Sequence, residues 1–117
     1  MKSERYKDFP GLDNAVYPAL FFIASWGGQV KRAHLAKMLQ TLFNVSDENI
    51  KKNTTPSGVP QWDLWLNDLR LMMLKQGMIA EPDPPGTWKL TIKGVLKFQQ
   101  IINERLLQLA EDENNAK

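Results

Sequence analysis

The stretch Gln61–Gln76, QWDLWLNDLRLMMLKQ, and the stretch Gly77–Gly94 behind it, GMIAEPDPPGTWKLTIKG, decide how this chain is read. In the first, Trp62, Leu66, Leu69 and Met73 recur at 4-3-4 spacing, the spacing of one buried helix face. Gly77 stands where a helix needs a left-handed C′ residue. Met78-Ile79-Ala80 and Thr87–Leu90 read as two short strands around a turn at Pro82–Gly86, which makes a hairpin. Thr91 then caps a last helix predicted to run to about Glu111.

Upstream, Leu12–Trp26 reads as a first helix with Leu20, Ile23 and Ala24 at helical spacing. Asp13 is its expected N-cap, unless Tyr17-Pro18 starts the helix instead, with Pro18 in the first turn. Gly27-Gly28 ends it. Gln29-Val30 is long enough only for a bridge or a stub of strand. Arg32–Phe43 reads as a second helix that buries Leu35, Leu39, Leu42 and Phe43. Ser46 caps a short helix with acids in its first turn, and Asn53–Pro60 is a loop. The order is helix, strand stub, helix, short helix, helix, hairpin, long helix. That is the order of a winged helix-turn-helix: mainly α, with a small β-hairpin wing and a long C-terminal helix. The expected division is an arm at residues 1–12, one domain at 13–111 and a disordered tail at 112–117.

Composition limits what such a fold can do. The 117 residues carry a net charge of +2, with 43% apolar and 24% charged residues, which fits one globular domain. There is no cysteine, so disulfides, thiol catalysis and thiolate metal sites are excluded, in keeping with a reducing, cytoplasmic setting. The longest apolar run, Ala19–Ala24, is too short to span a bilayer, and residues 1–9 lack the apolar region of a secretory signal. No membrane partner is expected. Between Asn14 and Ala110 eleven basic residues stand against seven acidic ones, so the folded part is mildly basic.

Pieces of the chain resemble, in order, the N-terminal domain of Mrr-type restriction proteins. They are Trp26-Gly27-Gly28-Gln29-Val30, Phe43-Asn44-Val45-Ser46-Asp47-Glu48-Asn49-Ile50, Pro56-Ser57-Gly58, Trp62-Asp63 with Leu66 and Arg70, Gly77-Met78-Ile79 and Trp88-Lys89-Leu90-Thr91-Ile92-Lys93-Gly94. The resemblance runs over roughly Val16–Gly94 and implies a winged-helix fold with a DNA-targeting role. The nuclease domain that accompanies this module in restriction proteins is not expected in this chain. Trp65 and Asp68 depart from the family pattern, which would carry a basic residue and an aromatic one there.

Candidate chemistry is sparse. His34 is the only histidine, and the positions one helical turn away (Val30, Lys31, Lys37, Met38) complete no metal or catalytic set. Gln29-Val30-Lys31 with Asp13 imitates the acid and Gln-x-Lys of restriction nucleases, but that site needs adjacent strand ends in a central sheet, and none is predicted there. Glu81 and Asp83 read as solvated wing-tip acids. No cofactor and no metal is expected, and the chain reads as non-enzymatic.

The remaining expectation is binding. For double-stranded DNA, Lys31, Arg32, Lys51 and Lys52 would meet phosphates, Gln61, Asn67 and Lys75 would approach the groove, and Lys89 would sit on the wing. Transcriptional regulation and targeting within a restriction-like system are both open roles. Against DNA stands the outer face of the third main helix, where Leu64, Leu71 and Leu74 make a second apolar stripe beside Asp68. That stripe, with Ile102, Leu106 and Leu109 of the last helix, would form an interface with a second copy or a protein partner, so a homodimer is expected. The alternative for the last helix is packing back onto the first. Trp65 is a candidate for stacking on a base or for the core.

Overall fold

α1 (Leu12–Ser25) opens the fold in the computed structural model, which describes residues 9–52, 56–81 and 86–115. Its N-cap is Gly11 rather than Asp13, which lies exposed in the first turn, and Pro18 lies inside the helix rather than at its start. Proline costs the helix one ladder bond there. The helix persists because Ala15, Ala19, Leu20 and Ile23 bury one face completely. β1 (Gln29–Lys31) follows, then α2 (Arg32–Leu42), α3 (Asp47–Lys52), α4 (Gln61–Lys75), β2 (Thr87–Lys89) and α5 (Ile92–Asn115).

The helix ends follow the expected backbone chemistry. At the end of α4 the Gly77 N–H donates to Leu74 O (2.9 Å) and the Met78 N–H to Met73 O (2.9 Å), with Gly77 at φ 76. That is the left-handed cap for which glycine has no Cβ penalty. Asn44, at φ 55, plays the same part after α2. The Ser46 hydroxyl accepts from the Asn49 N–H (3.0 Å), and the Thr91 hydroxyl accepts from the Gly94 N–H (2.9 Å), so both caps stand as expected. The Thr91 hydroxyl also donates to Gly77 O (2.5 Å), which ties the end of α4 to the start of α5.

The sheet departs from the expected hairpin. The stub Gln29–Lys31 is a strand, and it pairs antiparallel with β2, Gln29 opposite Lys89 and Lys31 opposite Thr87. The expected strand at Met78–Ala80 is reduced to one antiparallel bridge, Ile79 to Leu90, beside an Ala80 N–H to Lys89 O bond of 2.9 Å. The turn joining these segments, with Asp83, lies outside the described residues. Val30 and Trp88 face the core while Gln29, Lys31 and Lys89 face out, the alternation that strand geometry imposes.

The core is built on tryptophan. Trp62 and Trp65 stack at 4.7 Å, and Phe9 meets the Trp62 ring edge-on at 5.3 Å. Trp65 is fully buried, and its indole N–H donates to Pro10 O (2.8 Å), so it belongs to the core and stacks on no base. Phe9 and Pro10 thus join the body, which begins before residue 13. Leu64 and Leu74 are half-buried against the core of their own chain, and the expected stripe contracts to Leu71, which is 46% exposed.

α5 is longer than expected: it reaches Asn115, where a disordered tail was predicted from 112. Its part up to Arg105 lies on α1, with Phe98 stacked on Tyr17 (6.0 Å) and Arg105 over the same ring at 4.1 Å. Beyond this it overhangs. Twenty-four residues reach about 36 Å. The radius of gyration is 15.8 Å, against about 13 Å for a rounded domain of this length.

Candidate nucleic-acid interface

Three backbone segments meet at the sheet end of the molecule. The Arg32 N–H, at the first residue of α2, donates to Gly86 O (2.6 Å), at the foot of β2. The Arg32 guanidinium reaches Asp63 in the first turn of α4, on both its carbonyl oxygen (3.4 Å) and its carboxylate (3.5 Å). The starts of α2, α4 and β2 are therefore held together through one arginine. Neither α2 nor α4 is capped by a side chain: their N-cap residues are Lys31 and Pro60. Both helices present the positive end of their dipole to the same region.

Around this junction Lys31 and Lys89 are exposed on the outer face of the sheet, where β1–β2 pairing sets them diagonally across from each other. The Arg32–Asp63 pair is partly exposed, at 38% and 48% of the two side chains. Such a pair contributes about 0–1 kcal/mol in water, so a phosphate could displace the carboxylate at little cost. Gln61 begins α4 and is half-buried beside the junction.

The other expected DNA contacts are not gathered here. Asn67 and Lys75 are exposed on α4, with Leu71 between them, on a ridge of four-residue spacing. Asn67 is engaged by Arg70, whose Nη2 donates to its Oδ1 (3.4 Å). Lys75 closes the helix, about 21 Å along the axis from Gln61. Lys51 is exposed on α3, which starts from the far end of α2, where Gln40 Nε2 donates to the Asp47 carboxylate (2.7 Å). The side chain of Lys52 lies outside the described residues.

Sequence reasoning missed one residue. Trp26 is the C-cap of α1 and is 56% exposed, the only exposed one of the four tryptophans. Its ring meets His34 edge-on at 4.3 Å and, with Gln29, Lys31 and Thr87, lines a shallow cleft beside the sheet. The signal was present: an aromatic immediately before Gly-Gly sits at a helix terminus, off the buried stripe. His34 is exposed and partners this ring. Among the described residues no group of three His, Asp or Glu could hold a metal ion.

The nuclease-like set is not assembled either. A short strand does carry Gln29 and Lys31, but Asp13 lies at the opposite end of α1, about 18 Å along its axis from the end nearest β1. No described helix is long and apolar enough to cross a membrane. No family model matches the sequence, and no curated protein and no solved structure matches it either.

Proposed function

We propose that this chain is a winged-helix DNA-binding protein. The observation that carries the reading is the junction at Arg32, which places the starts of α2 and α4 and the stem of the would-be wing side by side. The strand order supports it, since the strand between the first two helices pairs with the second strand of the hairpin, and that strand bridges back to Ile79. Lys31, Arg32 and Lys89 contact phosphates, and Gln61 and Asn67 face the groove. Trp26 lies flat against a sugar or base edge beside Lys31. The resemblance to the Mrr-type N-terminal domain agrees with this role, which is targeting or regulation rather than catalysis.

The test is a titration of the protein with duplex DNA, followed by tryptophan fluorescence. Because Trp62, Trp65 and Trp88 are buried, a change on binding would come from Trp26 and vanish in Trp26→Phe while binding persists. A duplex that neither binds nor alters the emission refutes the reading.

A second reading has one observation in its favour. Leu71 lies exposed at the centre of the outward face of α4, where a groove-reading helix has use for a polar or basic residue. On that reading α4 docks a protein partner. Leu71→Lys separates the two: it strengthens DNA binding if α4 enters a groove, and abolishes a protein association if Leu71 is an anchor.

A further inference from the structure

His34 stands exposed in the first turn of α2 and borders two clefts. One is the cleft beside the sheet that also holds Trp26 and Lys31, and the other lies between Phe22 of α1 and Met38 and Leu42 of α2. The edge-on contact with the Trp26 ring sets the imidazole at the wall of the first cleft. Lys31 and Lys37 stand three residues before and three residues after it, each a helical neighbour. Among the described residues lining the two clefts these lysines are the charged ones, and none is acidic. The other packed elements bring uncharged side chains, Phe22 and Trp26 from α1 and Thr87 from β2. His34 is the one histidine of the chain, and histidine is the side chain whose charge changes between about pH 5 and pH 8.

We infer that His34 belongs to the phosphate-binding surface as its imidazolium, so that duplex binding takes up a proton there; this rests on the DNA-binding reading above and adds a fourth cation to Lys31, Arg32 and Lys89. A protonated His34 has no carboxylate lining either cleft to pair with. It would stand between two ammonium groups and at the positive end of the α2 dipole. A phosphate arriving beside Lys31 relieves all three conditions at once and favours the charged imidazole. The charged ring also presents both of its nitrogens as donors, where the neutral ring has one. Contact with the phosphate is then a charge-assisted hydrogen bond, which strengthens binding about tenfold. The neutral ring still meets Trp26 but brings no charge to the phosphate, so affinity rises as the pH falls.

The test is duplex affinity at about pH 8 and about pH 5.5, on either side of the imidazole range. The wild type should bind about tenfold tighter at the acid end. Its slope of log K against log salt should steepen there by about 0.9, the share of one further phosphate. His34→Gln, which keeps a hydrogen-bonding side chain without the charge, should show neither change. His34→Lys should hold the tighter binding at both ends. A wild-type affinity that is flat with pH, or a rise that persists in His34→Gln, overturns the assignment of His34 and leaves the DNA-binding reading standing. No binding at either pH overturns both. The placement of His34 is read without DNA. Because Trp62, Trp65 and Trp88 are buried, Trp26 emission in the free protein should titrate across the same range in the wild type and not in His34→Gln. Emission that does not titrate overturns the Trp26 contact, and with it the place of His34 in the cleft.

Discussion

Gly94→Ala sets two effects of opposite sign against each other. Gly94 is the one buried residue of α5 and lies where that helix crosses the backbone of Met78. Inside a helix, alanine is favoured over glycine by about 1 kcal/mol, so on propensity alone the variant is more stable. The added Cβ, however, would overlap the Met78 carbonyl oxygen and lie 3.0 Å from its carbon and 3.3 Å from Leu90 Cδ2. The obstacle is backbone and cannot rotate away. That oxygen already accepts the Thr91 N–H (3.1 Å). Overpacking of this kind costs about 1–3 kcal/mol, and loss of the Thr91 bond adds about 0.5–1.5 kcal/mol. The clash wins by about 1–3 kcal/mol. At about 4–8 °C per kcal/mol for a domain near this size, the midpoint falls by about 4–24 °C. The assay is thermal and urea unfolding by circular dichroism at one fixed protein concentration. Gln100→Ala, on the exposed side of the same helix, should stay within about 0.5 kcal/mol. A Gly94→Ala protein as stable as the wild type, or more so, would refute the close approach of α5 to the Met78 backbone.

Other outcomes follow from the same geometry. Trp65→Phe and Trp88→Phe remove the same atoms from the core, but Trp65 donates to Pro10 O while buried Trp88 Nε1 has no partner. Trp65→Phe should therefore be the more destabilising by about 2 kcal/mol, read from paired urea melts; equal costs would contradict the Pro10 bond. Asp63→Asn frees Arg32 and removes a charge that repels phosphate, so duplex affinity should rise with stability changed by less than about 1 kcal/mol; weaker binding would place Arg32 outside the interface. Lys31→Glu with Lys89→Glu should flatten the dependence of log K on log salt by at least about 2, whereas Lys75→Glu, at the far end of α4, should alter it less.

Much of this fold was legible because helix ends are local. Gly77, Asn44, Ser46 and Thr91 each fix a boundary through backbone conformation or a cap within a few residues. The sheet was less legible. Gln29–Lys31 is only three residues long and finds its partner almost sixty residues downstream, and no periodicity in a triplet announces that pairing. A strict 4-3-4 stripe omits Trp65 because it is narrower than the face α4 buries, which takes in the residue three beyond Trp62 as well. The same narrow stripe puts Leu64 and Leu74 outside it, although both pack against the core. The candidate interface was half legible. Lys31, Arg32 and Lys89 stand out by charge, but only the long-range Arg32 contacts with Gly86 and Asp63 show which basic residues share a place.

The central claim is that Lys31, Arg32 and Lys89 form one phosphate-binding surface, and the salt dependence of duplex binding tests it most directly. Three neutralised phosphates at about 0.9 each predict that log K falls with log salt at a slope near −3, with Trp26 emission changing in step. A flat slope, or no binding at about 50 mM salt, where phosphate contacts are strong, would contradict the claim and favour the protein-docking reading of the exposed Leu71 face of α4.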